Sequence, residues 1–390
     1  MTHCSAKLLP YAITGLSTLI GRVLTIDEWA DAAQIPERSG MGVMSGALVE
    51  RVLGISGKSW DPDLFADLNR IISVARDALL SANLEPHEID TMIVVTCSPY
   101  EMMLDQDAFR LARELGLRDE VVPIQIGAGC ADLARAAALA AQLSASNVLV
   151  ITYNTPSRVT GDLKGGVSPL YRSNKVHPLG RSLWASAGIF SDGAAALVLS
   201  RQPGVEGLVL YSRDALSFGD EPGFADPLIH YLGGGASHPV GTPGAAELSC
   251  YGMNGPEVKR YYTKGMMLNH AALEAALPGY VDRVRRIYTH QASPALVDEF
   301  AQLAGLPSYK APTNARQFGN LVSASTAKML HDDLFRGDIA DGDLICASVV
   351  GAGPERGAYV LPVRIATLVE PGTGRRVCPA GRSAVIQSTV

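Results

Sequence analysis

One stretch constrains this chain more than any other. An apolar, β-branched run (Val121-Val122-Pro123-Ile124-Gln125-Ile126) ends at two glycines, Gly127 and Gly129. It hands a single cysteine, Cys130, to the start of an alanine-rich segment over 131–140. The run reads as a strand and the alanines as a helix, alanine being the strongest helix former. A thiol at such a junction faces unpaired backbone N–H groups and the positive end of a helix dipole, which favour thiolate. Glycines ahead of it let a substrate or another segment come close to the backbone. Two readings stand here: a nucleophile, or a buried cysteine at a strand–helix junction, since cysteine is among the most buried residue types.

The 390 residues suffice for one large domain or two ordinary ones, and 47% hydrophobic content is ample for a core. The net charge of −6, with no dense Lys/Arg run, argues against nucleic acid. No apolar run reaches the roughly 20 residues of a membrane span. Pro10, Gly15 and Gly21 interrupt the apolar N-terminal region, which reads as strand and turn, not as a signal peptide. The six cysteines have no paired spacing, a pattern of reduced, cytoplasmic proteins. No His/Cys cluster has metal-ligand spacing, so no structural metal is expected.

Along the chain, short strands alternate with helical segments. Residues 10–26 read as strand and turn, leading to a helix near 27–33; 37–57 reads as loop; helical spacing begins at Asp61. Strands are expected at 91–96 and 147–152, with a helix at 106–115 between them. Residues 155–189 read as a long inserted polar loop and 218–250 as a second Gly/Pro-rich excursion. A helix over 256–276 carries Arg260 and Lys264 on one face. The grammar then repeats: strand 286–290 ending at His290, a helix opened through Gly319-Asn320, and strand 343–350. This implies a duplicated α/β fold with an N-terminal half over 1–210, a C-terminal half over 211–364 and a flexible tail over 365–390. A pseudo-twofold would bring Cys130 from one half to His290 and Asn320 from the other.

That trio has a chemical logic. A histidine beside a cysteine can take its proton or hold the thiolate, and an asparagine amide can donate to an oxyanion. The motifs are Gly129-Cys130-Ala131, Phe190-Ser191-Asp192-Gly193-Ala194, Met253-Asn254-Gly255, His290-Gln291-Ala292, Gly319-Asn320 with Ser323-Ala324-Ser325, and Val350-Gly351-Ala352-Gly353. In that order they resemble the β-ketoacyl-acyl carrier protein synthase III group of the thiolase superfamily, over most of residues 10–363. The resemblance implies a layered α-β-α-β-α thiolase fold, a homodimer, and an acyltransferase that takes an acyl-CoA or acyl carrier protein thioester as substrate and needs no cofactor. It implies Cys130 as the acyl-accepting nucleophile, and His290 and Asn320 as donors to an enolate oxygen. A second oxyanion hole would come from the Cys130 N–H and the backbone at Ala352 and Gly353. Ser293, Gly319, Arg260 and Lys264 would belong to substrate binding, and Asp192 to a structural stretch.

The chain departs from the family pattern where Ser293 stands for asparagine, Asp132 for glycine and Leu321-Val322 for Thr-Ser. Asp132 opposes thiolate formation if it points inward; otherwise it is a first-turn acid facing the dipole or a binding group at the dimer side. Arg260 and Lys264 read equally as a landing face for an acidic carrier protein or as a solvated helix face. The Gly351–Gly357 glycines lack the spacing of a dinucleotide loop. The leading expectation is decarboxylative condensation with a malonyl-type thioester, in polyketide or fatty-acid-like biosynthesis. The alternatives are transfer of the same acyl group to a hydroxyl or amine of a small natural product, or an inactive partner subunit.

Overall fold

The computed structural model describes residues 5–37, 41–370 and 375–377. Sixteen elements build its frame. They are β1 (Lys7–Leu9), β2 (Tyr11–Ile20), α1 (Asn69–Ala82), β3 (Thr91–Thr96), α2 (Gln106–Leu115), β4 (Pro123–Gly127), α3 (Asp132–Ala140) and β5 (Asn147–Asn154). Then come β6 (Gly193–Arg201), β7 (Gly207–Ser212), α4 (Gly255–Ala276), β8 (Arg286–Thr289), α5 (Pro294–Leu303), α6 (Ala324–Arg336), β9 (Leu344–Gly351) and β10 (Glu355–Pro362).

Ten strands form two five-stranded sheets, ordered β2-β6-β5-β3-β4 and β1-β7-β10-β9-β8. The duplication is visible in the pairing. In the first sheet β3 and β5 are parallel, and β6 then runs antiparallel to β5 and to β2. In the second, β8 and β9 are parallel and β10 runs antiparallel to β9 and to β7. The chain changes sheets between β6 and β7. The boundary expected at 210 therefore falls inside β7, and β1 crosses back to pair with β7.

The helices α3 and α6 lie between the sheets: α3 touches β7, β9 and β10 as well as β3 and β5, and α6 touches β2, β6 and β8. Outside, α1 covers β2 and β6, and α4 covers β9 and β10. The result is the expected α-β-α-β-α layering. Alanines make the inner position of α3 possible: Ala134, Ala136, Ala137 and Ala140 are buried in the central core. The second sheet answers with glycines. A Cβ at Gly357 would lie 2.8 Å from Ala134 Cβ, and one at Gly351 2.9 Å from Ala131 Cβ.

Three expectations need correction. Residues 37–57 contain the helix Gly46–Leu53, capped by Ser45. Residues 155–189 are no open loop: Pro156–Val159, Pro169–Arg172 and Leu183–Ile189 are helical, with Tyr171, Leu183 and Ala187 buried. The start of the segment expected as a flexible tail over 365–390 is part of the fold. Ile365 and Leu368 are buried in the central core, Val369 is buried too, and Leu368–Val369 pairs with Arg376–Val377. Apolar side chains at 365, 368 and 369 outweigh the Pro/Gly/Arg composition around them. Residues 378–390 lie outside the described residues. Among the described residues, no helix is long and apolar enough to cross a membrane.

Candidate active site

Cys130 sits two residues ahead of α3, after β4 ends at Gly127. No side chain caps this helix; its N-cap is Ala131, whose carbonyl accepts from Arg135 N–H at 3.2 Å. The first N–H groups of α3 thus look toward the cysteine end, as the glycine–cysteine–alanine pattern implies. Cys130 is buried and in no disulfide, and it belongs to the walls of two cavities, of about 640 and 390 Å³. The side chain of Asp132, the residue with conflicting readings, lies outside the described residues.

His290 and Asn320 both line the smaller cavity with Cys130, so the structure brings the expected trio together. His290 follows the end of β8, its N–H donating to Ser348 carbonyl at 2.9 Å. Its two ring nitrogens are buried without a hydrogen-bond partner among the described residues. Burial pushes its pKa down to about 3, so the imidazole is neutral at physiological pH. Next to it, Gln291 is a structural knot. Its Oε1 accepts from Thr313 Oγ1 at 2.8 Å and from the Asn314 and Ala315 N–H groups, while its Nε2 donates to Thr289 carbonyl. The end of β8 is thereby tied to the turn that leads to Asn320.

Asn320 is held from both sides. Its N–H donates to Ile189 carbonyl at 2.9 Å, and its carbonyl accepts from Ser191 N–H at 2.8 Å, an isolated bridge of this segment to Phe190. Its side-chain oxygen accepts from Val322 N–H at 2.8 Å, which turns the amide NH2 away as a donor. Gly319 enables this turn at φ 71°, where a Cβ would lie 2.2 Å from Ser191 Oγ. The Phe190-Ser191-Asp192-Gly193 motif is the wall against which Asn320 is set. Asp192 is fully buried and accepts from Asp61 N–H at 2.6 Å and Ser157 N–H at 2.9 Å; burial raises its pKa to about 6.

The remaining expected residues divide. Ala352 lines both cavities and Gly353 the larger, in the turn between β9 and β10. Ser293 lines the smaller cavity, yet its hydroxyl caps α5 by accepting from Leu296 N–H at 3.4 Å. Arg260 and Lys264 line neither cavity and are not a bare basic face. Arg260 pairs with Glu221 at 2.5 Å and Glu257 at 2.9 Å, and Lys264 with Asp220 and Glu221 at 2.6 Å.

Several site residues have no counterpart in the expected set. Tyr262 donates to the His290 carbonyl, Phe190 and Ile229 line both cavities with Cys130, and Arg51 lies on the wall of the smaller one. Tyr262 shares a helix face with Val258 and Met266, four residues away on either side, a spacing that would have pointed inward. Glu355 and Arg356 stand among glycines whose spacing resembles a nucleotide loop, which hides their place at the site. Glu355 lines the larger cavity, and Arg356 is buried behind it on Asp214 and Asn269.

Residues 279–363 match the family model described as 3-Oxoacyl-[acyl-carrier-protein (ACP)] synthase III C terminal. A β-ketoacyl-[acyl-carrier-protein] synthase III of Cereibacter sphaeroides is 30% identical over 358 residues, covering 90% of this chain and 95% of that protein. One of a Synechococcus species is 27% identical over 345 residues, covering 87% and 89%. Among solved structures, the 3-oxoacyl-(acyl carrier protein) synthase III of Pseudomonas aeruginosa aligns with TM-score 0.69 at 20% identity, over 94% of this chain and all of that one. Cerulenin-bound Xanthomonas campestris OleA aligns with TM-score 0.69 at 19% identity, over 91% and 98%.

Proposed function

This chain belongs to the β-ketoacyl-[acyl-carrier-protein] synthase III family of acyltransferases, and we propose that it joins an acyl group held on Cys130 to the enolate of a malonyl-type thioester. The family carries acyl condensation through a cysteine in general terms. Cys130 Sγ attacks the thioester carbonyl of an acyl-CoA or acyl carrier protein, and that carrier leaves as its thiol. A malonyl-type thioester then enters the smaller cavity and loses carbon dioxide. Its enolate carbon attacks the acyl-Cys130 carbonyl, and the C–S bond to Cys130 breaks. The enolate oxygen would be held by a His290 ring N–H and the Asn320 amide. The oxyanion on the acyl carbon would be held by the Cys130 N–H and the backbone at Ala352 and Gly353.

The observation that carries this reading is a pair of neutral donors with nothing else to bond. Among the described residues both His290 ring nitrogens lack partners, and the Asn320 oxygen is already bonded, in a cavity shared with Cys130. An imidazole with a pKa of about 3 is a weak base, which weighs against transfer to a hydroxyl or amine whose proton it would have to take. A homodimer is part of the proposal. It is supported by exposed apolar side chains just ahead of and on α2, which packs on the edge strand β4, and just before β4: Met102, Met103, Leu104, Phe109 and Val122.

The test is carbon dioxide release from malonyl-CoA or malonyl carrier protein in the presence of an acyl thioester. Release with a β-ketoacyl product, lost in Asn320→Ala, is expected. No release, with ester or amide formed on an added alcohol or amine, would overturn the condensation reading.

A further inference from the structure

The larger cavity is not a plain apolar pocket. Its wall includes Cys130, Met102, Val159 and Ile229, but also Arg135, Tyr211, Arg213 and Glu355. These four are gathered by the fold. Tyr211 lies near the end of β7 and Arg213 directly follows the strand, and both reach this wall. Helix α3, which packs on β7 and β10, brings Arg135, and the start of β10 brings Glu355.

Their charges do not balance. Glu355 is 5% exposed; it accepts from Tyr211 Oη at 2.5 Å and faces Arg135 at 3.7 Å. Arg213 has no ion-pair or hydrogen-bond partner among the described residues, and no other Asp, Glu, Lys, Arg or His side chain is on this wall. Two guanidinium groups face one carboxylate, and Arg213, which is exposed, keeps its donors open to a ligand in this cavity. An arginine fork matches a carboxylate better than any other acyl substituent. Arg135 lies five residues past Cys130, about 7 Å along a helix axis, the reach of a short chain hung from the sulfur.

We propose that this cavity selects an acyl group with a carboxylate at the end away from the thioester, that is, a short dicarboxylic monothioester, held by Arg213 and Arg135. The proposal rests on Cys130 being the acyl acceptor. In the loading step Cys130 Sγ forms a bond to the acyl carbonyl as the bond to the coenzyme sulfur breaks. The cysteine proton leaves with the departing thiol, while the distal carboxylate keeps its charge and meets Arg213. Glu355, fixed by Tyr211, holds Arg135 in place on the cavity wall.

The experiment measures the rate of Cys130 acylation by intact mass, with glutaryl-CoA against hexanoyl-CoA, which puts an ethyl group where the carboxyl stands. The wild-type protein is expected to load glutaryl at least tenfold faster. In Arg213→Ala that ratio should fall at least tenfold, and Arg213→Lys should restore part of it. Because each ratio is internal to one variant, a change in the amount of folded protein does not imitate it. Equal or faster loading of hexanoyl by the wild-type protein, or a ratio unmoved in Arg213→Ala, overturns the charge-selection proposal and leaves Cys130 as the nucleophile. An adduct with neither thioester contradicts the nucleophile itself, and this proposal with it.

Discussion

Tyr262 donates its phenolic hydrogen to the backbone carbonyl of His290 at 2.7 Å and lays its ring 5.6 Å from the imidazole, tilted by 45°. Both residues are buried, so α4 from the second half's outer layer sets the position of a ring whose own nitrogens have no hydrogen-bond partner among the described residues. Replacing Tyr262 by Phe keeps the packing and strips the buried carbonyl of its partner. A loss of about 1–3 kcal/mol is expected, with a kcat reduced on the order of 10-fold or more as the imidazole loses its placement. Denaturant unfolding and steady-state condensation rates check the two effects separately.

Burial of His290 has a pH signature. Its folded pKa of about 3 lies below the ordinary histidine value of 6.5, so between these limits the unfolded chain binds a proton that the folded chain refuses. Its contribution to stability is complete above about pH 6.5 and is lost as pH falls toward 3, by up to about 1.4 kcal/mol per pH unit. Asp192, with its pKa raised to about 6, works in the opposite sense over pH 3.8–6. The comparison of wild type with His290→Gln isolates the histidine. The variant should lose less stability between pH 6.5 and 4.5, as read from thermal midpoints.

The glycines of the site fall into two kinds. Gly319 adopts φ 71° and its missing Cβ leaves room for Ser191 Oγ, so Gly319→Ala should cost more than about 3 kcal/mol and displace Asn320. Gly129 has only Val322 Cγ1, at 3.6 Å, near its Cβ position, and Gly127 has nothing within 4 Å. Both face the larger cavity. Gly129→Ala should stay within about 1 kcal/mol of wild-type stability while slowing acylation of Cys130, measured by burst kinetics.

Behind the Ala352-Gly353 turn, Arg356 pairs with Asp214 at 2.9 Å and donates to Asn269 Oδ1 at 3.0 Å, with Arg356 and Asp214 almost wholly buried. Removing the arginine alone strands a buried carboxylate. Arg356→Met should lose about 3–5 kcal/mol. The Arg356→Met/Asp214→Asn double variant, with no buried charge left, should lose less than the single one. Chemical denaturation of both variants measures the difference.

Much of this arrangement can be read from the residues alone. Helix α2 and strand β3 fall where periodicity puts them, and the duplication pairs β3–β5 with β8–β9, because those segments follow one period through their length. The trio of Cys130, His290 and Asn320 is legible because each stands at the end of a strand or the opening of a helix. Short elements are another matter. The helix Gly46–Leu53 and the three helices within 155–189 have one or two turns each, too few for a 3.6-residue period to stand out from glycine and proline. The balance of charge is hidden as well. Arg260 and Lys264 look like a basic face until Asp220 and Glu221 fold back onto them from about 40 positions away. Arg213 conversely looks like one more surface cation until the turn after β7 brings it to the cavity wall.

The most direct measurement is a single turnover watched by intact mass. Protein is first loaded with an acyl-CoA, the adduct is mapped, and malonyl-CoA or malonyl carrier protein is then added. An acyl adduct on Cys130 is expected, absent in Cys130→Ala. Malonyl thioester should discharge it with release of carbon dioxide and a β-ketoacyl thioester, and Asn320→Ala should block the discharge. An adduct on another residue, or one on Cys130 that malonyl thioester leaves in place, would contradict condensation through Cys130.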